Sequence, residues 1–123
     1  MSTDIREVVV VNESYNPNRV GDVSLFKNIA DAERYFEAVD VKNGEYSAFL
    51  LDGRGLKLLV VDDRVRVEPE MSTSIYHDRI RSILEAAGSA VLAARKGRGQ
   101  FEDGLNPSVL STVELIQLIG FAL

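Results

Sequence analysis

Residues 5–12 read IREVVVVN, and this stretch decides the fold. Its β-branched side chains favour an extended strand over a helix. Successive side chains of a strand point to opposite faces, so the four valines divide equally, with Val8 and Val10 on one face. Both faces are therefore apolar. A sheet with one face in water does not have this pattern, so we expect helices to cover both sides or a second protein to cover one.

The rest of the chain predicts four further strands and three helices. The extended runs are Val23–Phe26, Glu45–Leu51, Leu56–Val61 and Arg64–Glu68. Apolar spacing and capping residues predict helices near residues 29–39, 74–96 and 108–119. The order is ββαβββαα, with turns at Asp52-Gly53 and Asp62-Asp63 that suggest an antiparallel meander. We expect one α+β domain, residues 1–123, with a mainly antiparallel sheet packed against three helices.

Two features of the last helices carry further expectations. Gly88 interrupts the apolar stripe of the second helix and is expected to bend or loosen it. The final helix lies within SVLSTVELIQLIGFAL, residues 108–123, and is apolar nearly all round. We therefore expect it to be buried in the core or in an interface.

Composition restricts the classes of function. The chain has 123 residues, no cysteine and a net charge of −5. The missing cysteines exclude disulfides, thiolate metal sites and thiol nucleophiles, and the acidic charge argues against general nucleic-acid binding. The N-terminus has no basic region before its apolar run, and the 16-residue apolar segment at the C-terminus is too short to span a bilayer. We expect a cytoplasmic protein without membrane contact.

No group of side chains in the sequence is suited to catalysis. His77 is the only histidine, between Ser74 and Asp78. A catalytic triad needs residues that converge from different elements, whereas these three lie within about one helical turn. We therefore interpret His77 as a surface or boundary residue and expect no catalytic residues.

Metal, nucleotide and nucleic-acid sites are also not expected. Carboxylates at Asp52 and at Asp62-Asp63 would lie at opposite ends of a meander, so they predict no metal site. The segments DGRG and GRG match no phosphate-binding loop, and no cofactor is expected. The basic residues in and just after the second helix have the placement of cations that commonly lie near a helix C-terminus or face solvent, so they predict no nucleic-acid site. They are Arg79, Arg81, Arg95, Lys96 and Arg98.

An acidic segment is the strongest functional signal. Between Asp22 and Asp52 there are seven acids and three bases. The acids on and just after the first helix are predicted to bind a basic partner, because acidic surfaces attract basic proteins and raise their association rate. They are Asp31, Glu33, Glu37 and Asp40. The alternative is an ordinary solvated helix face.

Residues 21–60 carry a resemblance to a known group of proteins. The motifs are GDVSLF, DAERYFEAVDV, EY and DGRGLKL. This pattern resembles small bacterial proteins of which some look like immunity proteins of polymorphic or contact-dependent toxin systems. The resemblance implies a small cytoplasmic protein without catalysis that binds a toxin domain, frequently a basic nuclease. It implies no individual binding residue.

Three hypotheses follow from the sequence. The first is a non-enzymatic protein-binding domain, in particular an immunity protein that neutralises a toxin. The second is an acidic secretion chaperone that holds an effector segment on exposed apolar surface such as the Leu59 and Val61 side. The third is a small ligand-binding domain or enzyme with a pocket lined by Tyr35, Tyr46 and His77. A homodimer that closes an apolar sheet face is a further expectation.

Overall fold

A computed structural model describes residues 5–16, 18–70, 75–99 and 105–122. In chain order the elements are a 3-10 helix at Ile5–Glu7, β1 (Val9–Glu13), β2 (Asp22–Phe26), α1 (Ile29–Tyr35), α2 (Ala38–Lys42), β3 (Tyr46–Leu50), β4 (Leu56–Val61), β5 (Arg64–Pro69), α3 (His77–Gly97), a 3-10 helix at Pro107–Val109 and α4 (Thr112–Ile119). The predicted α+β class with antiparallel strands is confirmed.

The strands form two sheets rather than one continuous meander. β1 lies at the centre of a three-stranded antiparallel sheet in the order β2-β1-β3. β4 and β5 form a separate hairpin, which a single bridge between Phe49 and Gly55 connects to β3. The predicted meander is therefore interrupted after this bridge, where β3 and β4 diverge.

The four valines that begin at Val8 are buried on both faces of the three-stranded sheet. Each of them is at most 1% exposed. Val8 and Val10 pack against α3 and α4, while the other two valines pack against α1, Phe36 and the β4–β5 hairpin. Burying one valine stabilises the fold by roughly 1.5–3 kcal/mol. The first of the two expected arrangements, coverage of both sides within the chain, is the one observed.

The helix predicted over residues 29–39 is two helices, so the observed order has one more helix than predicted. Asn28 caps α1 as expected, because its Oδ1 accepts the N–H of Asp31 at 2.8 Å. The chain then becomes extended at Phe36, with φ −72° and ψ 137°, before α2 begins. Phe36 is only 7% exposed and packs on Tyr46 with ring centroids 4.9 Å apart. The break turns this ring into the core, a tertiary contact that the helical spacing did not reveal.

Gly88, where a bend or loosening was expected, does not interrupt α3. α3 is one α-helix from His77 to Gly97, and Gly88 is buried within it. A Cβ at position 88 would lie 3.1 Å from Leu115 Cδ2 on α4. The glycine therefore lets α4 approach α3 closely, which offsets its low intrinsic helix propensity.

The final helix is shorter and less buried than predicted. A 3-10 helix occupies Pro107–Val109, and α4 starts after Ser111, whose Oγ accepts the N–H of Glu114 at 3.1 Å in a capping box. Leu115 and Ile116 are buried, but Val109 is 76% exposed. Among the helices that the structure describes, none is both long and apolar enough to cross a membrane.

The chain end covers one edge of the three-stranded sheet. Ala122 donates its N–H to the carbonyl of Leu25 at 2.8 Å, which places residues 121–122 beside the outer side of β2. This contact protects the exposed side of an edge strand from pairing with another chain.

A buried asparagine organises the connection from β1 to β2. Asn12 is 0% exposed. Its Nδ2 donates to the carbonyl of Arg19 at 2.9 Å, and its Oδ1 accepts the N–H of Gly21 at 2.8 Å. Gly21 leaves room for this approach, since a Cβ there would lie 2.1 Å from the carbonyl oxygen of Glu13. Asn12 thus ties the last residues of the loop, just before β2, to β1.

We predict that Asn12→Ala lowers the free energy of unfolding by roughly 1–3 kcal/mol, because it removes two hydrogen bonds that a buried side chain makes to the backbone of Arg19 and Gly21. Urea unfolding monitored by circular dichroism measures the change. Asn43→Ala, which alters an exposed asparagine at the end of α2, is the control and is expected to change stability by less than about 0.5 kcal/mol. Equal stabilities of the two variants would contradict the role of Asn12.

The β4–β5 turn has an unusual sequence for its geometry. Asp62 and Asp63 have φ of 51° and 59°, so both central residues are left-handed, as in a type I′ turn. Asn-Gly is the preferred sequence for this turn, because glycine adopts positive φ without a steric penalty.

We predict that Asp63→Gly raises the free energy of unfolding by roughly 0.5–1 kcal/mol, because it removes the Cβ from a left-handed residue. Thermal unfolding compares this variant with Asp63→Ala, which removes the same charge but keeps the Cβ. A gain in the alanine variant equal to that of the glycine variant would assign the effect to charge instead of backbone conformation.

Candidate functional site

Three tyrosines and three carboxylates meet at the end of β1 and β3 that is remote from the β3–β4 turn. We call this surface the tyrosine–carboxylate face and define it as Glu13, Tyr15, Tyr35, Asp40, Glu45 and Tyr46. Tyr35 donates its hydroxyl to Glu13 at 3.1 Å, and Tyr46 donates to Asp40 at 3.2 Å. Tyr15 donates to Glu45. Every tyrosine of the face therefore directs its hydroxyl to an acid.

The fold of the sheet and the helix break bring these residues together. Glu13 and Tyr46 are directly opposite on β1 and β3, so their side chains lie on the same face of the sheet. Tyr35 ends α1, and its ring lies 5.1 Å from Phe26 and 6.0 Å from Tyr46. Asp40 belongs to α2, whose direction is set by the break at Phe36. The aromatic contacts hold the rings while their hydroxyls remain at the surface.

Electrostatic repulsion within the face is visible in the pKa values of its groups. The hydrogen bond from Tyr15 favours the charged form of Glu45, but the neighbouring carboxyls of Asp40 and Glu13, with some desolvation, raise the pKa of Glu45 above its usual value. Partial burial and the hydrogen bond to Asp40 raise the pKa of Tyr46. Burial and the bond to Glu13 likewise raise that of Tyr35.

No cation within the described ranges compensates these acids. The ion pairs there join Arg34 to Asp31 at 3.8 Å, Arg54 to Asp52 at 2.8 Å and Arg81 to Glu85 at 3.8 Å. None of them includes Glu13, Asp40 or Glu45. The face thus keeps its negative charge, and the carboxylate oxygens retain acceptor capacity beyond the tyrosine hydroxyls.

The four acids predicted from the sequence do not form one cluster. Only Asp40 belongs to the tyrosine–carboxylate face. Asp31 pairs with Arg34, and Glu37 is exposed at the start of α2. Glu33 turns to the hairpin, where its Oε1 accepts the N–H of Val67 at 3.0 Å. Glu33 therefore holds β5 against α1, a structural role that its position on a helix did not indicate.

Sequence reasoning missed half of the face. Glu45 was counted among the acids of the segment but was not selected, and Glu13 and Tyr15 lie outside it. The available signal was the register of β1 and β3, which places Glu13 opposite Tyr46. That register depends on the long connection through two helices, so spacing along the chain could not supply it.

The other candidate residues are dispersed. His77 packs on Gly53 in the turn after β3, since a Cβ at Gly53 would lie 2.6 Å from its Nε2. This is the opposite end of β3 from Tyr46, so the predicted pocket of Tyr35, Tyr46 and His77 does not form. Ser74 lies outside the described residues. His77 is close enough to Asp52 to favour its charged form.

The turn acids and the basic helix residues also have local partners. Partial burial opposes ionisation of Asp52, but two hydrogen bonds from Arg54 outweigh it and lower the pKa of Asp52. Arg81 donates to the carbonyls of Pro107 at 3.3 Å and Leu110, which ties the segment before α4 to α3. In the part of the chain that the structure describes, no group of three or more histidines or carboxylates could hold a metal ion.

A cleft separates β3 from β4 next to the tyrosine–carboxylate face. Its volume is about 630 Å³, and Tyr46 lines it. The cleft, unlike the predicted pocket, extends to Tyr76 and Arg79 on the other side of the sheet.

Comparisons of the chain with protein-family models, with curated proteins and with solved structures found no significant match.

We predict that Glu45→Gln stabilises the fold at pH 7, because glutamine can accept the Tyr15 hydroxyl without repelling Asp40. A carboxyl with a raised pKa contributes stability that is present when it is protonated and is lost as the pH rises through that pKa. The difference in melting temperature between Glu45→Gln and wild type should therefore shrink as the pH falls through the raised pKa of Glu45, and it should be smallest below about pH 4, the ordinary range of a glutamate. Thermal unfolding from pH 3 to pH 8 measures it.

Glu68→Gln, which removes an exposed carboxylate of β5 away from the face, is the matched control. A Glu45→Gln variant that is less stable than wild type at pH 7, or a difference independent of pH, would contradict repulsion within the face.

Proposed function

We propose that this chain is a non-enzymatic protein-binding domain that docks a basic surface of another protein on its tyrosine–carboxylate face. One observation carries the proposal: three carboxylates converge with three tyrosines on an accessible surface, and none of the ion pairs in the described residues neutralises them. Such an arrangement opposes folding, and a cationic partner would relieve it. A carboxylate whose neighbours raise its pKa, as at Glu45, is common at functional surfaces.

The tyrosines suit a protein interface. Tyr15 is 71% exposed and Tyr35 is 36% exposed, so both rings are available for contact. Tyrosine is enriched among residues that dominate binding energy, since its ring buries a large area and its hydroxyl supplies a polar contact. Val39, 59% exposed on α2, adds apolar surface close to the acids. Charge would steer the partner, and the rings would supply contact area.

Neutralisation of a bacterial toxin is the specific role that we propose. The resemblance of residues 21–60 to immunity proteins supports it, because such proteins bind toxin domains that are frequently basic. The acidity of the face supports it independently. A partner that is a basic nuclease would place its cationic substrate-binding surface against the acids, which would block access of nucleic acid.

The secretion-chaperone hypothesis has weaker support. Leu59 and Val61 are 39% and 52% exposed, as that hypothesis requires. Their neighbours across the hairpin are Arg66 and Arg64, so the apolar surface is narrow and flanked by charge. A groove that holds an effector segment needs a longer apolar strip.

We predict that Glu13→Lys/Glu45→Lys weakens partner binding while it stabilises the free fold, because the change removes both the attraction and the internal repulsion. Affinity capture from a lysate of the source organism, with wild type and variant as parallel baits, identifies the partner by mass spectrometry. Association kinetics with the purified partner then measure the effect. At low salt we expect the association rate to fall by about tenfold or more.

Glu7→Lys/Glu68→Lys is the matched control, because it reverses two exposed acids outside the face. It should retain the partner. Where the double reversal perturbs the fold, Glu13→Gln/Glu45→Gln tests the same charges with smaller changes. If all variants capture the same basic protein and bind it with equal association rates, docking on this face is refuted.

A further inference from the structure

The two strands that flank the cleft stop pairing at a defined point. The bridge between Phe49 and Gly55 is the last one between β3 and β4, and beyond it the strands belong to different sheets. The cleft opens from this bridge. Glu70 and Tyr76 lie over its closed end, since both approach within 3.0 Å of a Cβ placed on Gly55. The open end reaches Tyr46 and Leu58.

The backbone of β3 directs hydrogen-bonding groups into this cleft. Leu51 donates to the carbonyl of Val8 and Ser14 to that of Glu45, so the odd-numbered residues of β3 pair with β1. Because antiparallel strands alternate in this way, Tyr46 and Ala48 direct their backbone groups to the opposite side. The next even residue, Leu50, uses its N–H and carbonyl within the turn, with Arg54 and Gly53. An antiparallel bridge at Phe49 also engages the carbonyl of Ala48, so the open part of the edge begins at the Ala48 N–H and includes Tyr46.

Two side-chain polar atoms beside this edge lack partners. The Oγ of Ser47 and the Nη2 of Arg79 are both buried without a hydrogen bond in the described structure, and both residues line the cleft. Glu70 also lines it but forms no ion pair with Arg79. A buried donor without an acceptor is unfavourable, and more so when the group is charged, so it calls for an explanation. A guanidinium is suited to a carboxylate.

We propose that the cleft binds an extended peptide segment of a partner protein, which adds a strand to β3 and places a carboxylate against Arg79. The backbone groups of Tyr46 and the N–H of Ala48 would pair with the peptide, as in other cases of strand addition. Apolar side chains on one side of the peptide would contact the cleft floor, which consists of Val41, Leu56 and Leu58. The Ser47 hydroxyl would complete the polar contacts.

This inference goes beyond docking on the tyrosine–carboxylate face. The two sites adjoin at Tyr46, whose ring lines the cleft and whose hydroxyl donates to Asp40. A single partner could therefore cover the face with a basic surface and insert a segment into the cleft. The two sites nevertheless depend on opposite charges, acids on the face and Arg79 in the cleft, so different substitutions test them.

Selection of peptides on the full chain tests the proposal. The probe is a phage-displayed library of random decapeptides, selected on wild type and counter-selected on Arg79→Met. We expect enriched peptides to carry an Asp or Glu at a fixed position between apolar residues. A synthetic copy should bind Arg79→Met about tenfold more weakly than wild type, the effect of one lost hydrogen bond to a charged group. Replacing the Asp or Glu of this peptide by Asn or Gln should weaken its binding to wild type but not its binding to Arg79→Met.

Two controls locate the peptide. Arg98→Met removes an exposed arginine at the end of α3 and should leave binding unchanged. In nuclear magnetic resonance spectra of the labelled chain, the peptide should shift the amide signals of Ala48 and Tyr46. Thermal unfolding of both arginine variants establishes that they are folded. If Arg79→Met does not fold, the acid-to-amide change in the peptide measures the same contact on wild type.

Several results would overturn the inference. They are an absence of enriched peptides, equal binding to wild type and folded Arg79→Met, and amide shifts confined to α4 or to the acidic face. Loss of peptide binding in Glu13→Gln/Glu45→Gln would also overturn it, because it would place the peptide on the acids. Retained binding in that variant supports the cleft whether or not the face docks a basic partner.

Discussion

The structure depends on a strand whose two faces are both buried. From Val8, just before β1, to Val11, every side chain is at most 1% exposed, so the chain must supply an apolar layer on each face of the sheet. α3 and α4 form one layer, and α1, α2 and the β4–β5 hairpin form the other. The second layer is built from short pieces. Its irregularity, including the break at Phe36, sets the positions of Tyr35 and Asp40 beside Tyr46. The layer that buries β1 therefore also builds the candidate site, through α1 and α2.

The tyrosine–carboxylate face and the core have opposite effects on stability. The buried residues are apolar except for Asn12, whose side-chain amide donates one hydrogen bond and accepts one. The face gathers like charges whose repulsion raises the pKa of Glu45. Natural proteins keep such unfavourable local arrangements where a functional contact requires them, and they offset them elsewhere in the fold. The aromatic contacts among Phe26, Tyr35 and Tyr46 provide part of that compensation.

Much of the fold followed from local patterns, and the candidate site did not. The β-branched run at Val8, the N-cap at Asn28 and the period of α3 each act within a few residues, so the α+β class and most elements could be predicted. The helix break at Phe36 and the close approach of α4 at Gly88 could not be predicted, because they depend on Tyr46 and Leu115, which are distant in sequence. The acids of α1 were grouped by proximity in the chain. The fold instead groups Glu13 with Tyr35, 22 positions apart, through a strand pairing that the sequence alone does not specify.

The hydrogen bond from Ala122 to Leu25 has a consequence for assembly. A sheet grows into a filament only when each added copy presents a free edge to the next, which requires two open edges per molecule. Here residues 121–122 lie beside Leu25 on the β2 side, so another strand could not pair at that point of the edge without displacing them. One of the two edges that such a filament would need is therefore obstructed at Leu25 by the protein's own backbone.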